Sequence, residues 1–137
     1  MSEVLHGACL CGRVTFEVHE PEVLGSCHCT RCQRWTGGPG LTQVVVAPQK
    51  FNVTGGQDSI QQYREQGFED RYFCGRCGSS LYTDDGEKYY VGAGTLRDVT
   101  LEPSYHYQVA FKAPWYTIGD GAPQHLEWPP DQSGWVR

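Results

Sequence analysis

Seven cysteines fall in three clusters: Cys9 and Cys11; Cys27, Cys29 and Cys32; Cys74 and Cys77. None stands alone, whereas core-filling thiols would scatter. Zinc held by thiolates is tetrahedral with Zn–S near ~2.3 Å, so its ligand sulfurs lie less than about 4 Å apart. A C-x-x-C meets this in a turn, where the first and fourth Cα come within about 7 Å. A C-x-C meets it in extended chain, where side chains two apart share a face. Either spacing supplies half a site.

Seven ligands divide as four plus three. Cys74-Gly75-Arg76-Cys77-Gly78 reads as a zinc knuckle, with a glycine after the second cysteine to let backbone amides turn toward sulfur. Cys9-Leu10-Cys11-Gly12 has the same glycine. Pairing the two gives a closed four-cysteine site that ties positions more than sixty apart, where a metal clip stabilises most in principle. Four thiolates leave zinc no open position, so this site is expected to be structural.

Cys27-His28-Cys29-Thr30-Arg31-Cys32 puts three ligands into six residues of one loop. One loop can cover one flank of a metal and leave the other bare, the pattern of a catalytic zinc with an exchangeable fourth position. The alternative is a second structural site closed by a distant histidine or acid; His6, His28, His106 and His125 are the histidines considered. His28 sits between two cysteines, so its side chain is expected to point away from the metal. Iron–sulfur ligation wants four anchors per cluster, which seven cysteines do not supply twice. An odd count with no export signal argues against disulfides. Three thiolates on a zinc dication leave a net charge of −1 and a soft centre that suits a fourth sulfur. The expected partner is therefore a thiol beside an electrophile. Arg31 and Arg34 could offset the negative centre or pair the carboxylates of a small acidic thiol.

What must position these residues is a mostly β chain. The 137 residues fit one domain, 1–137, with a core over about 5–125 and an extended C-terminal tail. Seventeen glycines and eight prolines favour turns over long helices. Residues 13–19 alternate, with Val14, Phe16 and Val18 on one face. Strands are also expected over 41–47, 51–54, 71–73, 80–83, 88–93 and 105–111, with Asp84-Asp85-Gly86 as a hairpin turn. One short helix is expected near 30–36. The stretch 114–137, rich in Pro, Gly and Trp, is expected to wrap the surface.

The net charge of −5 speaks against a phosphate-backbone binder. No apolar run approaches the ~20 residues that span a bilayer. The first residues, Met1-Ser2-Glu3-Val4-Leu5-His6, carry neither a basic nor an apolar signal region, so a cytoplasmic setting is expected. Trp35-Thr36-Gly37-Gly38-Pro39-Gly40 is either a turn into the next strand or a place for a peptide to approach the backbone. Trp115 and Tyr116 read as cover or pocket wall, and Asp120 as a turn aspartate or an acid/base group.

Gly7-Ala8-Cys9-Leu10-Cys11-Gly12, Cys27-His28-Cys29-Thr30-Arg31-Cys32 and Phe73-Cys74-Gly75-Arg76-Cys77-Gly78-Ser79, in that order, resemble the glutathione-dependent formaldehyde-activating enzyme family, which shares its domain with centromere protein V. Val91-Gly92-Ala93-Gly94-Thr95-Leu96, Pro114-Trp115 and Asp120-Gly121-Ala122-Pro123 extend the likeness over nearly the whole chain. The resemblance implies a β-tent fold built on zinc-ribbon-like knuckles. It implies a structural zinc on Cys9, Cys11, Cys74 and Cys77, and a second, catalytic-type zinc on Cys27, Cys29 and Cys32 that can take glutathione. The activity it implies is carbon–sulfur lyase chemistry: joining formaldehyde to glutathione and the reverse. Cys27, Cys29 and Cys32 are then the catalytic centre as ligands, not nucleophiles, and Arg31 and Arg34 the groups that bind the thiol. The runner-up is a non-catalytic zinc module that binds a partner or carries glutathione. A third reading is a redox switch in which the three-cysteine loop releases zinc on oxidation. No nucleic acid or membrane partner is expected.

Overall fold

Val14, Phe16 and Val18 are each at most 1% exposed, the inward face that their alternation predicts. The computed structural model describes residues 3–128. Along the chain lie β1 (Val4–Ala8), β2 (Thr15–His19), β3 (Val23–Cys27), α1 (Thr30–Thr36), β4 (Leu41–Val46), β5 (Phe51–Gly55), β6 (Ile60–Tyr63), β7 (Asp70–Cys74), β8 (Ser80–Asp84), β9 (Tyr89–Gly92) and β10 (Pro103–Tyr107), with short 3-10 turns between some of them. The fold is thus mostly β with one short helix, as expected.

The strands form two sheets, one in the order β1-β2-β5 and one in the order β10-β3-β4-β9-β8-β7-β6. Most neighbours are antiparallel; β10 and β3 are parallel. Residues directly opposite across a pair share a face. Val44 therefore shares a face with Val91 and Tyr82. With Val46 and Leu81 these join Leu5, Phe16 and Val18 of the small sheet in one core. The opposite face carries Tyr107, Cys27 and Leu41 in one row, and Val45, Tyr90, Thr83 and Arg71 in another. One face of the large sheet makes the core; the other supplies the wall of a cavity.

Two local details differ from expectation. The strand expected over 105–111 ends at Tyr107, because Gln108 turns to a φ of 57° and Val109–Phe111 forms a 3-10 turn. It also begins earlier, at Pro103. β1, β3 and β6 are strands beyond those that the sequence pattern predicts. β3 contains Gly25, and a Cβ there would meet the Tyr105 ring at 2.8 Å, so its face is filled by a neighbour rather than by its own side chain. The segment after Pro114 runs back along β10, with His106 N donating to Pro123 O at 2.8 Å and His125 N to His106 O at 2.8 Å. The part of the expected tail over 129–137 lies outside the described residues. Among the described residues no helix is long and apolar enough to cross a membrane.

Candidate metal centres and the adjoining cavity

The first site forms where the turn after β1 meets the turn after β7. Gly12 and Gly78 adopt φ values of 77° and 80°, a region open to glycine, and each lets its chain fold back behind a cysteine pair. Gly12 N donates to Cys9 O and Gly78 N to Cys74 O. Cys9, Cys11, Cys74 and Cys77 bring their sulfurs within 4.8 Å of one another. Cys9 and Cys11 sulfurs are 3.6 Å apart and those of Cys11 and Cys74 4.0 Å, against about 3.8 Å for sulfurs on one tetrahedral zinc. Val14 N donates to Cys9 Sγ at 3.3 Å. Ser79 Oγ, 3.2 Å from Cys77 Sγ, helps hold that thiol down to about 5. The four donors fit a closed, thiolate-bound metal.

The second group lies at the end of β3 and the start of α1. Cys27 and Cys32 are buried and Cys29 is half-buried. Cys29 is the N-cap of α1, accepting from Cys32 N at 3.3 Å, so the helix start itself bends the loop around the sulfurs. The three sulfurs also lie within 4.8 Å of one another. All seven cysteines are free thiols. Cys29 serves as acceptor for the other two: hydrogen bonds from Cys27 and Cys32 hold it down to about 2, and its bond to Cys27 pushes that thiol well above the ordinary range. Three convergent sulfurs suit a soft cation.

Among the described residues no fourth His, Cys, Asp or Glu joins this trio. His28 turns away, its Nε2 2.8 Å from His106 Nδ1. His106 Nε2 in turn lies 2.9 Å from Asp120 Oδ1. Burial pushes His28 down to about 4, and the His106 hydrogen bond holds Asp120 below the usual carboxylate range. Asp120 also accepts from Ala122 N at 3.0 Å, so it is a turn aspartate and a partner of His106 at once. His6 is at the small sheet, 3.8 Å from Glu17, and His125 lies along β10.

The exposed flank of the trio opens on a cavity of about 280 Å³. Gln43, Thr83, Tyr90 and Tyr107 of the large sheet form its floor, and Phe68, Glu69 and Phe111 its rim. Arg31 lines it too, but its guanidinium is held by Glu65 at 2.9 Å and stacks on Phe68 at 3.8 Å. Arg34 is exposed and does not line it. Trp35 and Thr36 end α1, Gly37 caps it in the left-handed region, and residues 37–40 bend into β4. Trp115 is exposed, and Tyr116 lies over His28. Arg71 was missed by sequence reasoning. It is 3% exposed, with Nη2 3.9 Å from Cys32 Sγ and 2.5 Å from Glu69 Oε1. The only signal was a charge inside a β-rich stretch.

Two relatives and one solved structure are similar to this chain. An uncharacterized lyase of Schizosaccharomyces pombe is 29% identical over 98 residues, covering 68% of this chain and 69% of that protein. A provisionally named glutathione-dependent formaldehyde-activating enzyme of Halomonas elongata is 33% identical over 89 residues, 60% of this chain and 57% of that one. The chain thus spans little more than half the length of the Halomonas protein. The crystal structure of a Rhodobacter sphaeroides protein shares the fold, with a TM-score of 0.57 at 24% identity over 73% of this chain and 91% of that one. A profile of one family matches residues 4–111, a span holding all seven cysteines and most of the cavity wall, and the chain belongs to the glutathione-dependent formaldehyde-activating enzyme family.

Proposed function

We propose that the chain is a zinc-dependent carbon–sulfur lyase that makes and breaks the adduct of a small thiol, glutathione or one like it, with a small carbonyl such as formaldehyde. The observation that carries this is the open trio: Cys27, Cys29 and Cys32 converge from one loop, and their free flank faces the cavity. Zinc held by Cys27, Cys29 and Cys32 would supply a soft Lewis acid that favours sulfur over water. In the addition, the thiol gives up its S–H proton, the sulfur bonds to the carbonyl carbon, the C=O π pair moves to oxygen, and oxygen takes up a proton in its place. The reverse breaks the C–S bond. Cys27, Cys29 and Cys32 act as ligands; the cavity walls hold the rest of the thiol and exclude bulk water. Arg31, already facing the cavity, is placed to meet a carboxylate if Glu65 yields it. Arg34 would act only from the surface. The Cys9, Cys11, Cys74 and Cys77 site would hold a second zinc with a structural role. A single β-tent domain in a cytoplasmic setting goes with this reading.

The test is thiol consumption by formaldehyde, compared with the uncatalysed rate. Zinc-loaded protein should accelerate it, and Cys29→Ser should not. Thiol binding without any acceleration would replace the enzyme with a thiol-carrying zinc module.

A further inference from the structure

Arg71 sits on the cavity face of β7, yet a guanidinium belongs in water. Nothing in the fold of β7 asks for it, since an apolar residue would fill the same inward position. A buried cation needs compensation on every side. Glu69 provides one contact at 2.5 Å, and the Trp35 ring lies 4.9 Å from the guanidinium carbon. Cys32 Sγ, at 3.9 Å, provides another, and Nη1 is buried without a hydrogen-bond partner.

We propose that Arg71 is the counter-cation of the three-cysteine centre: acting through Cys32 sulfur, it lowers the negative charge that an incoming thiolate meets. This rests on the reading that the centre takes a fourth sulfur. Three thiolates on a divalent metal carry −1, and Glu69 on the cavity rim carries another −1. The Asp85 carboxylate lines the same cavity, so Arg71 offsets one of several negative charges that an arriving thiolate meets. The thiol proton leaves to solvent. Arg71 and Glu69 therefore pull in opposite directions on the same equilibrium, a signature that simple loss of packing would not produce.

The test reconstitutes the full chain with Co²⁺ and reads two quantities: Co²⁺ affinity of the weaker site by chelator competition, and the change in sulfur-to-cobalt absorption as glutathione is added. R71M should weaken Co²⁺ at that site by about 10–100-fold, the range for losing a group that supports a ligand, and should weaken glutathione binding as well. R71K should recover part of both losses. E69Q, which leaves Arg71 in place, should tighten glutathione binding. Equal Co²⁺ affinity in R71M and the wild type, equal losses in R71M and R71K, or weaker glutathione binding in E69Q would each overturn the assignment. If glutathione leaves the wild-type cobalt spectrum unchanged, the open-site reading fails instead, and Arg71 stands or falls on the Co²⁺ affinities alone.

Discussion

Gly40 backs directly onto the carbonyl of Cys27: a Cβ at position 40 would sit 2.1 Å from that oxygen and 3.2 Å from His28 Cα. This contact clamps the metal loop against the start of β4, where Leu41 pairs with Cys27. Backbone cannot retreat as a side chain tip can. Gly40→Ala should therefore destabilise by roughly 1–3 kcal/mol, the range for forced overpacking, and lower zinc content by one ion per chain. Urea unfolding with metal analysis checks both. A fully loaded, equally stable variant would show that the loop is not held this way.

The two cysteine groups should answer differently to loss of a ligand. Cys74 is fully buried and its site joins distant strands, so Cys74→Ser should collapse thermal stability. Cys29→Ser should release one zinc and leave most of the melting temperature intact. Melting curves with zinc quantitation separate the outcomes. A global unfolding of Cys29→Ser would make the second site structural too.

Behind the loop, His106 accepts or donates between two groups, His28 and Asp120. His106→Ala should strand the His28 ring, already without a partner at Nδ1. A buried polar group left unsatisfied costs about 1–3 kcal/mol. Chemical denaturation measures it, and a change under half that lower bound would mean that water replaces the ring.

High pH should unfold the protein through its tyrosines. Burial, first of all, raises Tyr82 and Tyr90 well above the ordinary phenol range, and Asp85 adds to the effect at Tyr90. Unfolded tyrosine ionises near about pH 10. Above that pH the unfolded chain sheds protons that the folded chain keeps, so stability falls as pH rises; below it these groups have no effect. Melting temperatures from about pH 8 to 11, with phenolate absorbance, check the sign. A flat profile with all phenols titrating near about 10 would contradict it.

Much of this was legible in the sequence because its signals are local. The two knuckle glycines, the helix over Thr30–Thr36 and the alternation around Phe16 each depend on neighbours a few residues away. The 84–86 turn is of the same kind. What was not legible depends on register. Arg71 reaches Cys32 only because β7 pairs with β8, β8 with β9, β9 with β4 and β4 with β3, and no local pattern states that order. Arg31, adjacent to the cluster in sequence, looked the better cation, yet Glu65 and Phe68 already occupy it. Gln108 ended a strand whose alternation ran on, because a left-handed residue there turns the chain toward the cavity rim.

The most direct measurement is zinc per chain together with the thermal shift on adding glutathione. A ligand that binds only the folded state raises its stability in proportion to the logarithm of its concentration. The open three-sulfur centre predicts two zinc ions per chain and a concentration-dependent rise in melting temperature that Cys29→Ser abolishes. One zinc per chain and no shift at saturating glutathione would contradict it.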